Sequence, residues 1–265
     1  MTEMQKKVLV VDSDYFFVEF LSELLLKRGY EVLKAYNGKE GIARLEDNKV
    51  DILFADLILP KLDGPQFFKF IRNKYNGHEF PMVALSGTMI EQIGELNEIG
   101  ADYYIAKGPI DQLTIKLNEF MAEIETRPFS PPIDKKVVAP GNVFPRRDAM
   151  ELLNSLQFHQ AVIESAPAGI IIVDSDTRII NANPMALEAI GKRSVDVLNC
   201  PVVDLFVSGE RSEMVEGLKL VKRQADIQQY TFYATFNSSV ITIQISSIEL
   251  KSESVGWVVI LQLSF

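Results

Sequence analysis

Asp12, Asp56, Ser86 and Lys107 each stand at the carboxyl end of a short apolar run, the first three within Val-Leu-Val-Val-Asp, Ile-Leu-Phe-Ala-Asp and Met-Val-Ala-Leu-Ser. Clustered acids bind a hard divalent cation through oxygen, and Mg²⁺ suits such a set. A carboxylate can also attack phosphorus, provided a metal and a fixed cation neutralise the charge that accumulates on the phosphoryl oxygens. Lys107 supplies that cation and Ser86 a hydroxyl donor. The chemistry these residue types allow together is transfer of a phosphoryl group to an aspartate.

The elements that must position them alternate in type over residues 7 to 125. Apolar strands are expected at Lys7–Val11, Glu31–Ala35, Ile52–Ala55, Met82–Ser86 and Tyr103–Ala106. Between and after them, helical periodicity covers Phe16–Lys27, a segment capped by Asn37 and ending at Leu45, a segment opening at Gly64 with Phe67, Phe68 and Ile71 inward, Gln92–Ile99, and Ile110–Ile124. Strict alternation predicts a flavodoxin-like five-stranded parallel sheet with right-handed crossovers. With strand order 2-1-3-4-5, Asp12-Ser13-Asp14, Asp56, Ser86 and Lys107 converge at the switch point of the sheet, where open α/β folds place ligands. Pro60 stops regular structure after the central strand, and Asp63-Gly64 reads as a turn whose acid caps the next helix.

Composition narrows the function classes. The chain has 265 residues, 47% of them hydrophobic, enough for two packed domains. Lys plus Arg number 27 against 36 Asp plus Glu, a net charge of -9 that repels phosphate backbones and anionic lipids. Direct nucleic-acid binding and membrane association are not expected. Cys200 is the single cysteine, so no intrachain disulfide can form, and the opening residues lack the apolar core of a signal peptide. The expected location is cytoplasmic.

Residues 6 to about 125 resemble the receiver domain of bacterial two-component response regulators, through Val-Leu-Val-Val-Asp, Asp-Leu-Ile-Leu-Pro-Lys-Leu-Asp-Gly, Pro-Met-Val-Ala-Leu-Ser-Gly and Gly-Ala-Asp-Tyr-Tyr-Ile-Ala-Lys. The resemblance implies that Asp56 is the phosphoacceptor for a phosphoryl group from a sensor histidine kinase. It implies that Asp12, Asp56 and the backbone carbonyl of Ile58 hold Mg²⁺, and that Ser86 and Lys107 contact the phosphoryl oxygens. It makes Tyr104 the aromatic switch. Two positions depart from the pattern. Ser13 stands where the family has a second metal-binding acid, which leaves Ser13 itself or Asp14 to fill that place. Gly108 separates Lys107 from the proline that normally follows the lysine directly.

Thr126 to Arg147 holds five of the chain's 12 prolines without apolar periodicity and reads as a semi-extended linker over 126–147, separating a domain of residues 1–125 from one of 148–265. Asp148 to Ala166 reads as a helix in which Ala149, Leu152, Leu156, His159 and Ile163 make either a pairing seam or a core-facing stripe. His159 has no acid after it and His78 lies in a polar loop, so neither is assigned a role. From Pro167 onward short strands flank the turn Asp174-Ser175-Asp176-Thr177. Asn183-Pro184 opens a helix, a further helix runs from Glu210 to Arg223, and alternating strands cover Gln228–Phe236, Val240–Leu250 and Val255–Leu263.

This order, with Ala-Pro-Ala-Gly-Ile-Ile-Ile-Val-Asp-Ser-Asp-Thr-Arg-Ile-Ile-Asn-Ala-Asn-Pro-Met-Ala, resembles a PAS sensor domain of α+β class with an antiparallel sheet. Such domains hold small ligands or serve as dimer contacts, which implies a homodimer through this domain and its amino-terminal helix. The ligand here is unknown or absent, and Cys200 reads as a buried structural thiol. The expected function is a response regulator that is not itself an enzyme, phosphorylated on Asp56 and signalling through the PAS module. The alternatives are a non-phosphorylated receiver scaffold with a ligand-sensing PAS domain, and the front part of a hybrid histidine kinase.

Overall fold

β1 (Lys7–Val11) and β3 (Ile52–Asp56) lie side by side inside a parallel sheet, and every residue of β3 is buried, as its uninterrupted apolar run requires. The computed structural model describes residues 5–60, 62, 64–75, 80–87, 99–126, 129–130, 136–138, 155, 158–223, 228–250 and 253–263. The chain divides into two units, Met1–Ser155 and Leu156–Phe265.

In the first unit β2 (Glu31–Ala35) pairs with β1, while β4 (Met82–Ser86) and β5 (Tyr103–Ala106) follow β3 outward on the other side. The order 2-1-3-4-5 is therefore present, with all strands parallel. A sixth strand, β6 (Lys136–Val138), extends the sheet beyond β5. These three residues lie within 126–147, which the sequence reads as a semi-extended linker. Three residues among prolines carry no alternation, so their strand character comes from the neighbouring edge and not from their own pattern.

α1 (Tyr15–Lys27) starts at Asp14, whose side chain accepts the amides of Phe16 and Phe17. α2 (Gly38–Asp47) starts at Asn37 in a reciprocal cap. Asn37 Oδ1 accepts the Glu40 amide, while the Glu40 carboxylate accepts from Asn37 Nδ2 and the Tyr36 amide. α3 (Gly64–Lys74) buries Phe67, Phe68, Phe70 and Ile71, and α4 (Ile110–Glu125) buries Leu113, Leu117, Phe120 and Met121. One core joins Val8, Val10, Val18, Leu21, Phe54, Leu85, Leu117 and Phe120. Apart from Ile99, the helix expected over 92–99 lies outside the described residues, as does Asp63.

The second unit is an antiparallel sheet of order β8-β7-β11-β10-β9, built from β7 (Gly169–Asp174), β8 (Ile179–Ala182), β9 (Tyr230–Phe236), β10 (Ser239–Leu250) and β11 (Glu253–Leu263). Residues 158–164 form α5, followed by α6 (Pro184–Ile190), α7 (Ser194–Val197), a 3₁₀ turn at Val202–Leu205 and α8 (Ser208–Arg223). Asn183 joins several of these pieces. Its Oδ1 accepts the amides of Ile170 and Ala186, and its Nδ2 donates to the carbonyls of Ile163 and Ala168. Asp174 accepts the amides of Asp176 and Arg178, which sets the β7–β8 turn.

Phe206 packs against Phe232 at 5.7 Å and Phe236 at 5.5 Å within the core of this unit. Of the seam expected before it, the described His159 is exposed and Ile163 half-buried, while Phe158 and Val162 point outward; residues 148–154 and 156 lie outside the described residues. Cys200 is half-buried, not buried, because it sits in the surface connection after α7, with Sγ 3.7 Å from the Asp196 carbonyl. Among the described residues no helix is long and apolar enough to cross a membrane.

Candidate functional site at the carboxyl edge of the parallel sheet

The parallel pairing brings Asp12, Asp56, Ser86 and Lys107 to one edge, since β1, β3, β4 and β5 all end there. Asp12 is fully buried. Its Oδ1 accepts the Asp14 amide at 2.9 Å, and its own amide donates to the Ala35 carbonyl. Asp56 is 8% exposed, so its carboxylate reaches the surface at the strand end. Lys107 Nζ stands between the two acids, 2.8 Å from Asp56 Oδ2 and 2.6 Å from Asp12 Oδ2. Both are close charged contacts, and the one with Asp56 is also a hydrogen bond.

The electrostatics follow from burial. Burial pushes the Asp12 carboxyl above its usual range; the nearby Lys107 ammonium opposes this and the Asp56 carboxylate adds to it. Burial alone would lower the Lys107 ammonium, but the charges of Asp56 and Asp12 outweigh it and hold the group protonated. The ring of Phe17 lies 4.5 Å from Lys107 Nζ and forms an apolar wall with a favourable face for a cation.

The backbone fixes these positions closely. The Lys107 amide donates to the Ser86 carbonyl at 2.6 Å, tying the ends of β4 and β5. The Leu57 amide donates to the Leu85 carbonyl, and the Gly64 amide to the Leu57 carbonyl. At Gly64 a Cβ would stand 2.5 Å from the Asp56 carbonyl oxygen, so only glycine lets the start of α3 approach the strand end this closely. Ser86 is buried beside Asp56's strand, Ile58 is half-buried, and Ser13 and Asp14 are exposed. The Asp14 carboxylate serves the cap of α1.

Asp12 and Asp56 are the side chains that fit a hard cation. Asp12 Oδ2 is a buried oxygen already held by the Lys107 ammonium at 2.6 Å, so a cation bound there would share that oxygen with Lys107. Among the described residues no group of three or more acids, histidines or cysteines could hold a metal, so the protein's share would be thin. Mg²⁺ accepts such a share because it retains several waters. Bound there, it would neutralise charge on oxygens placed against Asp56.

Tyr104 is fully buried on β5, opposite Ala84 of β4, with its hydroxyl held by the backbone of Ala101; burial raises the hydroxyl well above the usual tyrosine range. The turn before β5 is clamped from α3. Arg72 donates to the Gly100 carbonyl at 2.8 and 2.5 Å and to Asp102 at 3.1 Å, and Asp102 accepts the Met82 amide. Sequence reasoning did not find Arg72 or Phe17. Phe17 had a signal, since it lies in the first turn of the helix that follows Asp12, whereas Arg72 sits 28 residues from its carbonyl partner.

The first unit is thus a doubly wound sheet with acids and a lysine at its switch edge, and the second an antiparallel sheet packed with helices. Residues 8–118 match the response regulator receiver domain and residues 157–262 match the PAS fold, so the chain is a receiver domain followed by a PAS domain. It is similar to the uncharacterized transcriptional regulatory protein YcbL of Bacillus subtilis, 34% identical over 99 residues, 37% of this chain and 43% of that protein. It is also similar to the alkaline phosphatase synthesis transcriptional regulatory protein PhoP of the same organism, 35% identical over 104 residues, 39% of this chain and 43% of that protein. The chain thus spans less than half the length of these relatives. Among solved structures it resembles the response regulator TrrA of Thermotoga maritima in complex with Mg²⁺ and BeF, at 28% identity and a TM-score of 0.38, covering 43% of this chain and 98% of that one.

Proposed function

We propose that this chain is a phosphorylation-controlled response regulator in which Asp56 accepts a phosphoryl group from the phosphohistidine of a sensor kinase. An Asp56 carboxylate oxygen attacks phosphorus, a P–O bond forms as the P–N bond breaks, and the departing imidazole nitrogen keeps the electron pair and takes a proton from solvent. In this reading Lys107 is the fixed cation and the Ser86 hydroxyl donates to a phosphoryl oxygen. Asp12 and Asp56 would hold Mg²⁺ with the carbonyl of Ile58, while Ser13 contributes no charge. The observation that carries this reading is the bridging of two strand-end carboxylates by one buried ammonium at 2.6 and 2.8 Å. A structural ion pair alone would not require both acids at the ligand-binding edge.

The output is a contact made by the PAS domain, with a homodimer through that domain and α5 as its form. Phe158 and Val162, exposed on α5, support it because apolar side chains on a short surface helix suit a partner. The regulator carries no turnover chemistry of its own and acts in the cytoplasm without contacting nucleic acid. One observation favours a second reading, a binding scaffold that is never phosphorylated. Ser13 is exposed and uncharged, so the metal share rests on two acids already paired with Lys107.

The experiment that separates the two readings is incubation of the full chain with acetyl phosphate, with and without Mg²⁺, read by intact mass. The regulator reading predicts one Mg²⁺-dependent phosphoryl adduct that Asp56→Asn abolishes; the scaffold reading predicts none from acetyl phosphate or from phosphorylated kinases.

A further inference from the structure

β5 would be the edge of the sheet by the order 2-1-3-4-5, and edges present unpaired N–H and C=O groups as a template for another strand. Here the template is filled by the chain itself. After α4 the backbone returns and β6 pairs in parallel, with Tyr103 opposite Lys136, Tyr104 opposite Val137 and Ile105 opposite Val138. β5, α4 and β6 therefore form one more βαβ unit, built from residues that also begin the connection to the second domain.

The paired stretch is the one that matters to the site. Ile105, the last residue matched by β6, lies two positions before Lys107, and Lys107 bridges Asp12 and Asp56. Tyr104 has β4 on one side and β6 on the other, is fully buried, and has its hydroxyl held by the Ala101 backbone. Its neighbour Tyr103 faces the opposite way, with its ring 5.1 Å from Phe120 of α4. Residues in register share a face of the sheet, so loss of β6 opens the outer side of the Tyr104 position.

We infer that β6 is a clasp on the β5 edge: residues 136–138 hold Tyr104 in its buried position, so that detachment of the strand and exposure of Tyr104 are a single event. A strand of three residues is short enough to leave without unfolding the sheet, at the low end of the local stability range. The clasp makes the start of the interdomain connection, rather than a helix face, the element that reads the state of β5. It holds independently of phosphorylation at Asp56 and is tested on the unphosphorylated full chain.

The test combines amide hydrogen exchange with tyrosine nitration by tetranitromethane, both mapped on peptides. In the wild type, amides within 136–138 exchange roughly tenfold or more slowly than free-chain rates. Tyr104 stays unmodified while Tyr15, 59% exposed, reacts. In the double variant Val137→Pro, Val138→Pro two donors are lost and the ladder cannot form. β5 amides then exchange roughly tenfold faster and Tyr104 becomes nitrated, while Tyr30, 5% exposed, stays protected. If Tyr30 reacts as well, the variant has lost its fold, and Val137→Gly, Val138→Gly is read in the same way. Free-chain exchange at 136–138 in the wild type, or an unreactive Tyr104 in the folded variant, overturns the clasp.

Discussion

Lys107 Nζ lies 2.8 Å from Asp56 Oδ2, and that one contact ties the end of β5 to the end of β3 across the intervening β4. The same ammonium compensates the fully buried Asp12. Removing one partner of such a set leaves an uncompensated charge, so Lys107→Met should destabilise the first domain by about 2–4 kcal/mol in urea denaturation at neutral pH. Adding Asp12→Asn to that variant should recover part of the loss, because the stranded charge is then gone. An unchanged stability in the single variant would mean that the two carboxylates are solvated without Lys107.

Gly64→Ala should displace the start of α3 from the end of β3. The added methyl would meet the Asp56 carbonyl oxygen and the Leu57 Cα at 2.5 Å, and both atoms belong to backbone. We expect a loss of about 1–3 kcal/mol, with faster amide exchange at residues 56–58. Gly87→Ala is the control, since nothing lies within 4 Å of a Cβ there.

Acid should loosen the junction of α4 with the α1–β2 turn. Glu125 accepts from Arg28 at 2.6 Å and from the Tyr30 hydroxyl at 2.8 Å. Burial works to raise the Glu125 carboxyl, but these hydrogen bonds outweigh it and hold the group below its ordinary value of 4.5. A depressed carboxyl contributes stability above 4.5 that is lost as pH falls through the lower folded value. Thermal unfolding of Glu125→Gln should therefore converge with wild type toward low pH and fall below it near neutrality. The gap should be under about 1 kcal/mol because the pair is partly exposed.

In the second domain, Phe206→Ala should cost about 3–5 kcal/mol, since the ring is buried against Phe232 and Phe236. Phe206→Leu should cost markedly less. The loss belongs to residues 156–265, so the transition of the first unit should stay in place in calorimetry.

The alternation of strands and helices was legible because each run declares itself locally. Ile52–Ala55 is apolar throughout, Asn37 and Asn183 announce their helices, and the strands of the second domain alternate cleanly. Asp12, Asp56, Ser86 and Lys107 were legible as a set because a parallel sheet sends all its strand ends to one edge. What escaped was long-range or borrowed. β6 takes its conformation from the open edge of β5, and Arg72 finds Gly100 only once the chain is folded. In the sequence Asp14 was a candidate metal oxygen only; in the fold its carboxylate caps α1. Cys200 was expected to be buried for its residue type, yet its place in a surface connection leaves it half-exposed.

Asp56 is the residue proposed to carry the phosphoryl group. An acyl phosphate is reduced by borohydride, which leaves homoserine where the aspartate stood. The full chain, phosphorylated with acetyl phosphate and Mg²⁺ and then reduced, should yield homoserine at position 56 alone on peptide sequencing by mass spectrometry. Homoserine at another position, or unmodified Asp56 in protein that has gained a phosphoryl group, would contradict it.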